Sequence, residues 1–128
     1  MDKQQYAAAK VAIDKYISDP KNAASAETWY YKGRIYNSLS RDTTIAKADA
    51  YNYKLTAFEA FKKNQQLDKL DLRMNTEFYK SYLDLYLGFY DLGAQNFNLK
   101  NFPASFNAFS KSQELENFIL SKDRKSVV

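Results

Sequence analysis

The 128-residue chain contains no cysteine and no histidine. Their absence excludes disulfides, thiolate and imidazole metal sites, cysteine nucleophiles, and every catalytic triad that uses imidazole as its base. Glycine and proline are scarce, at 3 and 2. Gly33, Gly88 and Gly93 are scattered and none precedes Lys-Ser or Lys-Thr, so no phosphate-cradling loop is present. So few turn formers also argue against an all-β chain, which needs a turn about every ten residues. No apolar run approaches the ~20 residues that span a bilayer. The start, Met1-Asp2-Lys3-Gln4-Gln5, lacks the apolar core of a signal peptide. The polar tail over 120–128 is expected to fray, and the chain reads as a fragment of a longer protein. The lack of cysteine fits an envelope or periplasmic location and fits cytoplasm equally.

Charge of one sign is also not in large excess. Lys and Arg number 19 against 15 Asp and Glu, a net +4. The basic residues are spread along the chain, with clusters only at Lys62-Lys63 and at Lys122-Asp123-Arg124-Lys125. Nucleic-acid binding needs a concentrated basic stripe, so no nucleic-acid partner is expected. What the chain does have is aromatic mass: 11 Tyr, 9 Phe and 1 Trp.

Those aromatics fall at helical spacing. Tyr6, Ala9, Ala12, Ile13, Tyr16 and Ile17 make one stripe over 4–18. Asp19-Pro20 ends it, because proline disfavours helical geometry at the residue before it. Asn22 or Ser25 is placed to cap a second helix over 23–39. A polar break at 40–44 precedes a third helix, from 45 or 48 to 67. Tyr53, Ala57 and Phe61 lie on its inner stripe, and Lys54, Glu59, Lys62 and Lys63 on its outer face, with Glu59 and Lys63 spaced to pair. Residues 71–99 are apolar on several faces, as one helix or two, with a cap site at Asn75-Thr76-Glu77; such a helix is expected to be buried between neighbours. Pro103 suits the first turn of a last helix.

The segments repeat. Trp29-Tyr30-Tyr31-Lys32-Gly33 and Phe89-Tyr90-Asp91-Leu92-Gly93 share an aromatic-x-x-x-Gly frame. Ala57-Phe58-Glu59-Ala60-Phe61 and Ser105-Phe106-Asn107-Ala108-Phe109 share a small-Phe-polar-Ala-Phe frame. Glycine inside a helix costs about 1 kcal/mol relative to alanine. The physical reason for keeping Gly33 is close approach of a second helix.

The pattern resembles the tetratricopeptide repeat (TPR) family, whose signature is Trp-x2-Leu-Gly-x2-Tyr, then Ala-x3-Phe, then Pro. Trp29, Gly33, Tyr36, Ala57 and Phe61 match in the first pair; Phe89, Leu92, Gly93 and Phe109 match in the second, with Phe102 at the turn aromatic. Lys32 departs at the Leu position, where its stem can cover the core while its amine reaches water. Asn64, Ser112, Lys69 and Ser105 depart elsewhere. The resemblance implies an all-α fold of antiparallel helix pairs stacked as a short right-handed superhelix. It covers one domain over 1–128: a half repeat at 4–20, a pair at 23–69 with an insertion within 37–53, and a pair at 72–119.

It also implies a non-enzymatic module that binds a protein or peptide segment on a concave face. The lining positions it implies are Tyr30, Arg34 and Asn37 in the first pair, and Tyr90, Ala94 and Phe97 in the second. Aromatic and arginine side chains suit such contacts. The residues that carry the repeat, Trp29, Gly33, Tyr36, Phe61, Phe89, Gly93 and Phe109, are expected in the core. A second reading is structural: terminal helices with open apolar faces pack against the rest of a longer chain or against a second copy. No catalytic residue, metal or cofactor is expected. Glu114 and Glu116 face different ways on a helix, Asp68 and Asp71 suit capping, and Asp84 and Asp91 suit a solvated helix face. Lys80-Ser81 and Ser110-Lys111 are adjacent in sequence, which does not bring side chains together on a helix.

Overall fold

A computed structural model describes the backbone of residues 3–127 and the side chains of residues 4–122. Seven helices follow in order among them, with no strand: α1 (Lys3–Ile17), α2 (Pro20–Ala23), α3 (Ala26–Ser40), α4 (Lys47–Leu67), α5 (Leu72–Thr76), α6 (Lys80–Asn98) and α7 (Phe102–Val127). They divide into two compact units, residues 1–78 and 79–128. Residues 72–78, read from the sequence with the second pair, therefore belong to the first unit.

In the first unit α3 and α4 form the central pair, and α1 packs against α3. Asp19-Pro20 both ends α1 and starts α2, since the Asp19 carboxylate accepts from the Lys21 amide (2.9 Å) and Pro20 needs no donor in a first turn. Asn22 serves the helix before it: its Nδ2 donates to the Tyr16 carbonyl (3.0 Å), one of the orphan acceptors at the end of α1. Ser25 is the N-cap of α3 by backbone geometry. The insertion enters as the end of α3, a connection over 41–46 tied by Asp42 to Thr44, and the first turns of α4.

The core of this pair is Tyr30, Tyr36, Ala57, Phe58, Ala60 and Phe61. A fully buried Phe contributes about 1.5–3 kcal/mol over an exposed one. Gly33 lies directly against the Phe61 ring, and a Cβ there would run into it. Close approach is thus the reason for this glycine. Trp29 is half-buried, and its Nε1 donates to the Ala23 carbonyl (2.8 Å). Lys32 lays its ammonium 5.5 Å from the ring centroids of both Trp29 and Tyr36 and 3.6 Å from Asp14, so its charge is used between helices.

Two placements on α4 differ from the sequence reading. Lys54, assigned to the outer face, is buried, and its Nζ donates to the Ser40 hydroxyl (2.8 Å). A long, charged side chain can be turned inward when a polar acceptor waits at the end of the neighbouring helix. Glu59 pairs with Lys62, one position nearer than Lys63. Asn64, where a small apolar residue is usual, donates to the Ala26 carbonyl (2.9 Å) and so ties the end of α4 to the start of α3.

The second unit is the antiparallel pair α6 and α7. Tyr82, Leu85, Phe89, Leu92, Ala108 and Leu115 are buried in it. Gly93 repeats the notch of Gly33: a Cβ there would lie 2.6 Å from Cδ1 of Phe109. The Ser105 hydroxyl donates to the Gly93 carbonyl (2.8 Å), adding a polar tie where the first pair has Ala57. The break within 71–99 falls at Phe78 and Tyr79, both with positive φ (56° and 60°). Contrary to the expectation of burial on all sides, α6 keeps one face open, carrying Leu83, Leu87 and Tyr90. The tail expected to leave the helix continues α7 as far as Val127. Of the basic cluster near the end, the side chains at 123–125 lie outside the described residues. Among the described residues no helix is long and apolar enough to cross a membrane.

Candidate functional site

The six residues implied as lining a partner face divide sharply. Tyr30 is 4% exposed and Asn37 is also buried, whereas Arg34 is exposed with its guanidinium carbon 5.9 Å from the Tyr30 centroid. Tyr90 is 54% exposed, Phe97 is exposed, and Ala94 between them is half-buried. Of these six, the exposed aromatics are thus Tyr90 and Phe97, both in the second unit.

Tyr30 is covered because the chain folds back over it after α4. Its hydroxyl donates to Glu77 (2.5 Å). The Arg73 guanidinium carbon lies 5.0 Å from the Tyr30 centroid and 5.4 Å from that of Tyr31. Arg73 Nη2 also donates to Glu27 and to the Tyr31 hydroxyl, each at 2.6 Å. Gln65 Nε2 donates to Asp71 (3.0 Å), and Asp68 accepts from the Arg73 amide (3.2 Å). These bonds hold α5 down, with Met74 fully buried. Burial, and then the bond to Glu77, raise the Tyr30 hydroxyl above its ordinary pKa of 10.0. Tyr36 is raised further by its own burial and by its 2.6 Å bond to Asp14.

In the second unit Phe97, Phe102, Ser105, Phe106, Phe109 and Gln113 bound an open groove of about 470 Å³. Phe97 and Phe102 meet edge to face across the α6–α7 turn with centroids 5.5 Å apart, and Tyr90 meets Phe109 likewise at 5.3 Å. Phe106 is 72% exposed, although Phe58 at the same register of the first pair is 1% exposed. Phe106 and Gln113 were not singled out as binding residues from the sequence. The signal was available in the repeat: a Phe at a position that is core in one pair needs cover in the other.

No family model, curated protein or solved structure matches this chain.

The titratable groups do not assemble an acid–base site from the carboxylates considered. Asp84 pairs with Lys80 (2.8 Å), Glu114 with Lys111 (2.9 Å), and Asp91 accepts from Gln95 (2.7 Å). Among the described residues no group of three or more acidic side chains gathers as a metal site. Ser40 and Lys54 do meet, but the Ser40 hydroxyl donates to the Asn37 carbonyl (2.6 Å) and all three residues are buried. A serine nucleophile needs its proton directed at a base and its oxygen open to a substrate.

Proposed function

We propose that the chain is a non-enzymatic protein–protein interaction module of the tetratricopeptide type, its helix pairs stacked as a short right-handed superhelix. It binds a peptide or protein segment along the faces of the glycine-bearing helices. The repeat reading is supported by two Gly–Phe notches in the same register, Gly33 against Phe61 and Gly93 against Phe109. The observation that carries the function is the open aromatic face of the second pair, where Tyr90, Phe97 and Phe106 stay in water beside a groove. Apolar rings clustered on a surface gain from being covered, and a soluble chain keeps such patches for binding. Selecting ligands from a random-peptide display library and mapping amide shifts on the 15N-labelled chain tests the reading. Shifts centred on Tyr90, Ala94 and Phe97 support it; selected ligands that move only α1 overturn it.

A second reading has its own observation. α1 exposes Val11 and Tyr16. Exposed apolar side chains on a terminal helix suit packing against a second copy or more of a longer chain. A mass that rises with concentration, and falls back in Val11→Glu, supports assembly through α1.

A further inference from the structure

The two pairs carry the same covering residues at the same register, but only the first pair has its cover. In the first pair residues 71–77 cover Tyr30, which packs on Phe61, and Gln65. Tyr30 takes an arginine on its ring and a carboxylate on its hydroxyl, and Gln65 takes a second carboxylate. In the second pair the equivalent side chains are Tyr90, Phe109 and Gln113. Tyr90 and Gln113 are exposed, and Phe109 is half-buried beside the groove. The reason lies in the chain's path. After Leu67 it turns back as α5, whereas α7 runs straight on to Val127 and no described residue of it returns over Tyr90.

We propose that the groove beside Tyr90 binds a short helical segment of another protein with the chemistry of α5. That chemistry is an acidic residue, an arginine two positions on, a methionine-like side chain next, and a second acidic residue three beyond it, as in Asp71, Arg73, Met74 and Glu77. The inference rests on the reading of the chain as an interaction module and names the ligand class. Electrostatics favour it. Asp91 stands at the register of Tyr31, whose hydroxyl oxygen accepts from Arg73. An arginine lying over Tyr90 would meet the Asp91 carboxylate, which takes the part that Glu27 plays for Arg73 in the first pair, and a charge-assisted bond is roughly twice as strong as a neutral one. Cation–π contact with the exposed Tyr90 ring adds to the attraction. A second copy is the poorer occupant, because its own α5 is already engaged, with Met74 fully buried.

The test uses a fluorescein-labelled peptide of residues 68–78 titrated with the full chain by anisotropy. Saturable binding is expected, with affinity falling about tenfold or more in Tyr90→Ala and in Phe106→Ala. Both residues are exposed, so both variants keep the fold. Tyr90→Phe removes only the hydroxyl and should give a smaller loss, and Tyr30→Phe should give none. A peptide with its arginine replaced by glutamate should not bind. Binding that survives Tyr90→Ala means that the peptide displaces α5 in the first unit, and it overturns the proposal. So does equal binding of the charge-reversed peptide, or none at about 1 mM, where only some 4 kcal/mol would be needed. Self-association abolished by Tyr90→Ala overturns it in favour of a second copy. In the case of no peptide binding, display ligands that still map to Tyr90 and Phe97 leave the interaction module standing and remove only the named chemistry.

Discussion

The backbone of Gly33 rests on the ring of Phe61 with no room for a Cβ between them. Phe61 is fully buried, so its ring cannot swing away. Gly33→Ala gains about 1 kcal/mol of helix propensity but overpacks a tight contact, which typically costs about 1–3 kcal/mol. We expect a net loss of stability, read as a lower urea midpoint. Gly93→Ala should lose less, because Phe109 is half-exposed and can yield. Gly33→Ala combined with Phe61→Leu should recover part of the loss.

Met74 anchors α5 from a fully buried position. Met74→Ala should cost about 2–5 kcal/mol, the usual range for truncating a buried methionine. The loss should be local as well as global. Limited trypsin digestion should cut after Lys69 and Arg73 in the variant under conditions that leave the parent chain intact there.

The buried ammonium of Lys54 gives a third expectation. Ser40→Ala removes one of its acceptors and should cost about 1–3 kcal/mol, the penalty of depriving a buried polar group. Lys54→Met keeps the volume and removes the ammonium together with its need for buried acceptors, so it should be the milder of the two changes. The thermal midpoints of the two variants should therefore move apart.

Alkaline pH tests the two buried phenols. Tyr30 and Tyr36 hold their protons more tightly in the folded chain than the ordinary value of 10.0. Above that value the unfolded chain releases protons that the folded chain keeps, so the stability they contribute is complete below about pH 10 and falls as pH rises beyond it. Tyr36→Phe should flatten that fall. The check is the difference in urea midpoint between about pH 8 and about pH 11, compared for the parent and the variant.

The glycine notches could be read in advance because glycine within a helical pattern demands an explanation and the aromatics supply it at fixed offsets. Lys54 could not, since charge alone places a lysine outside and only the connection over 41–46 brings Ser40 within its reach. The cover on Tyr30 was hidden for a different reason. A helix break usually announces itself by glycine or proline, but here Phe78 and Tyr79 take positive φ, which L-residues with large side chains rarely do. Tyr30 consequently read as a twin of Tyr90, and the difference between them came from α5. On the second pair Tyr90 and Phe97 were placed on the open face by repeat position, while Phe106 was hidden among residues that look like core.

The single tryptophan lies in the first unit, with its indole N–H bound to the Ala23 carbonyl. Its emission therefore reports denaturation of residues 1–78, while far-ultraviolet dichroism follows every helix. Any gap between the two melting curves reads directly as independence of the second pair, with no dye or engineered label required.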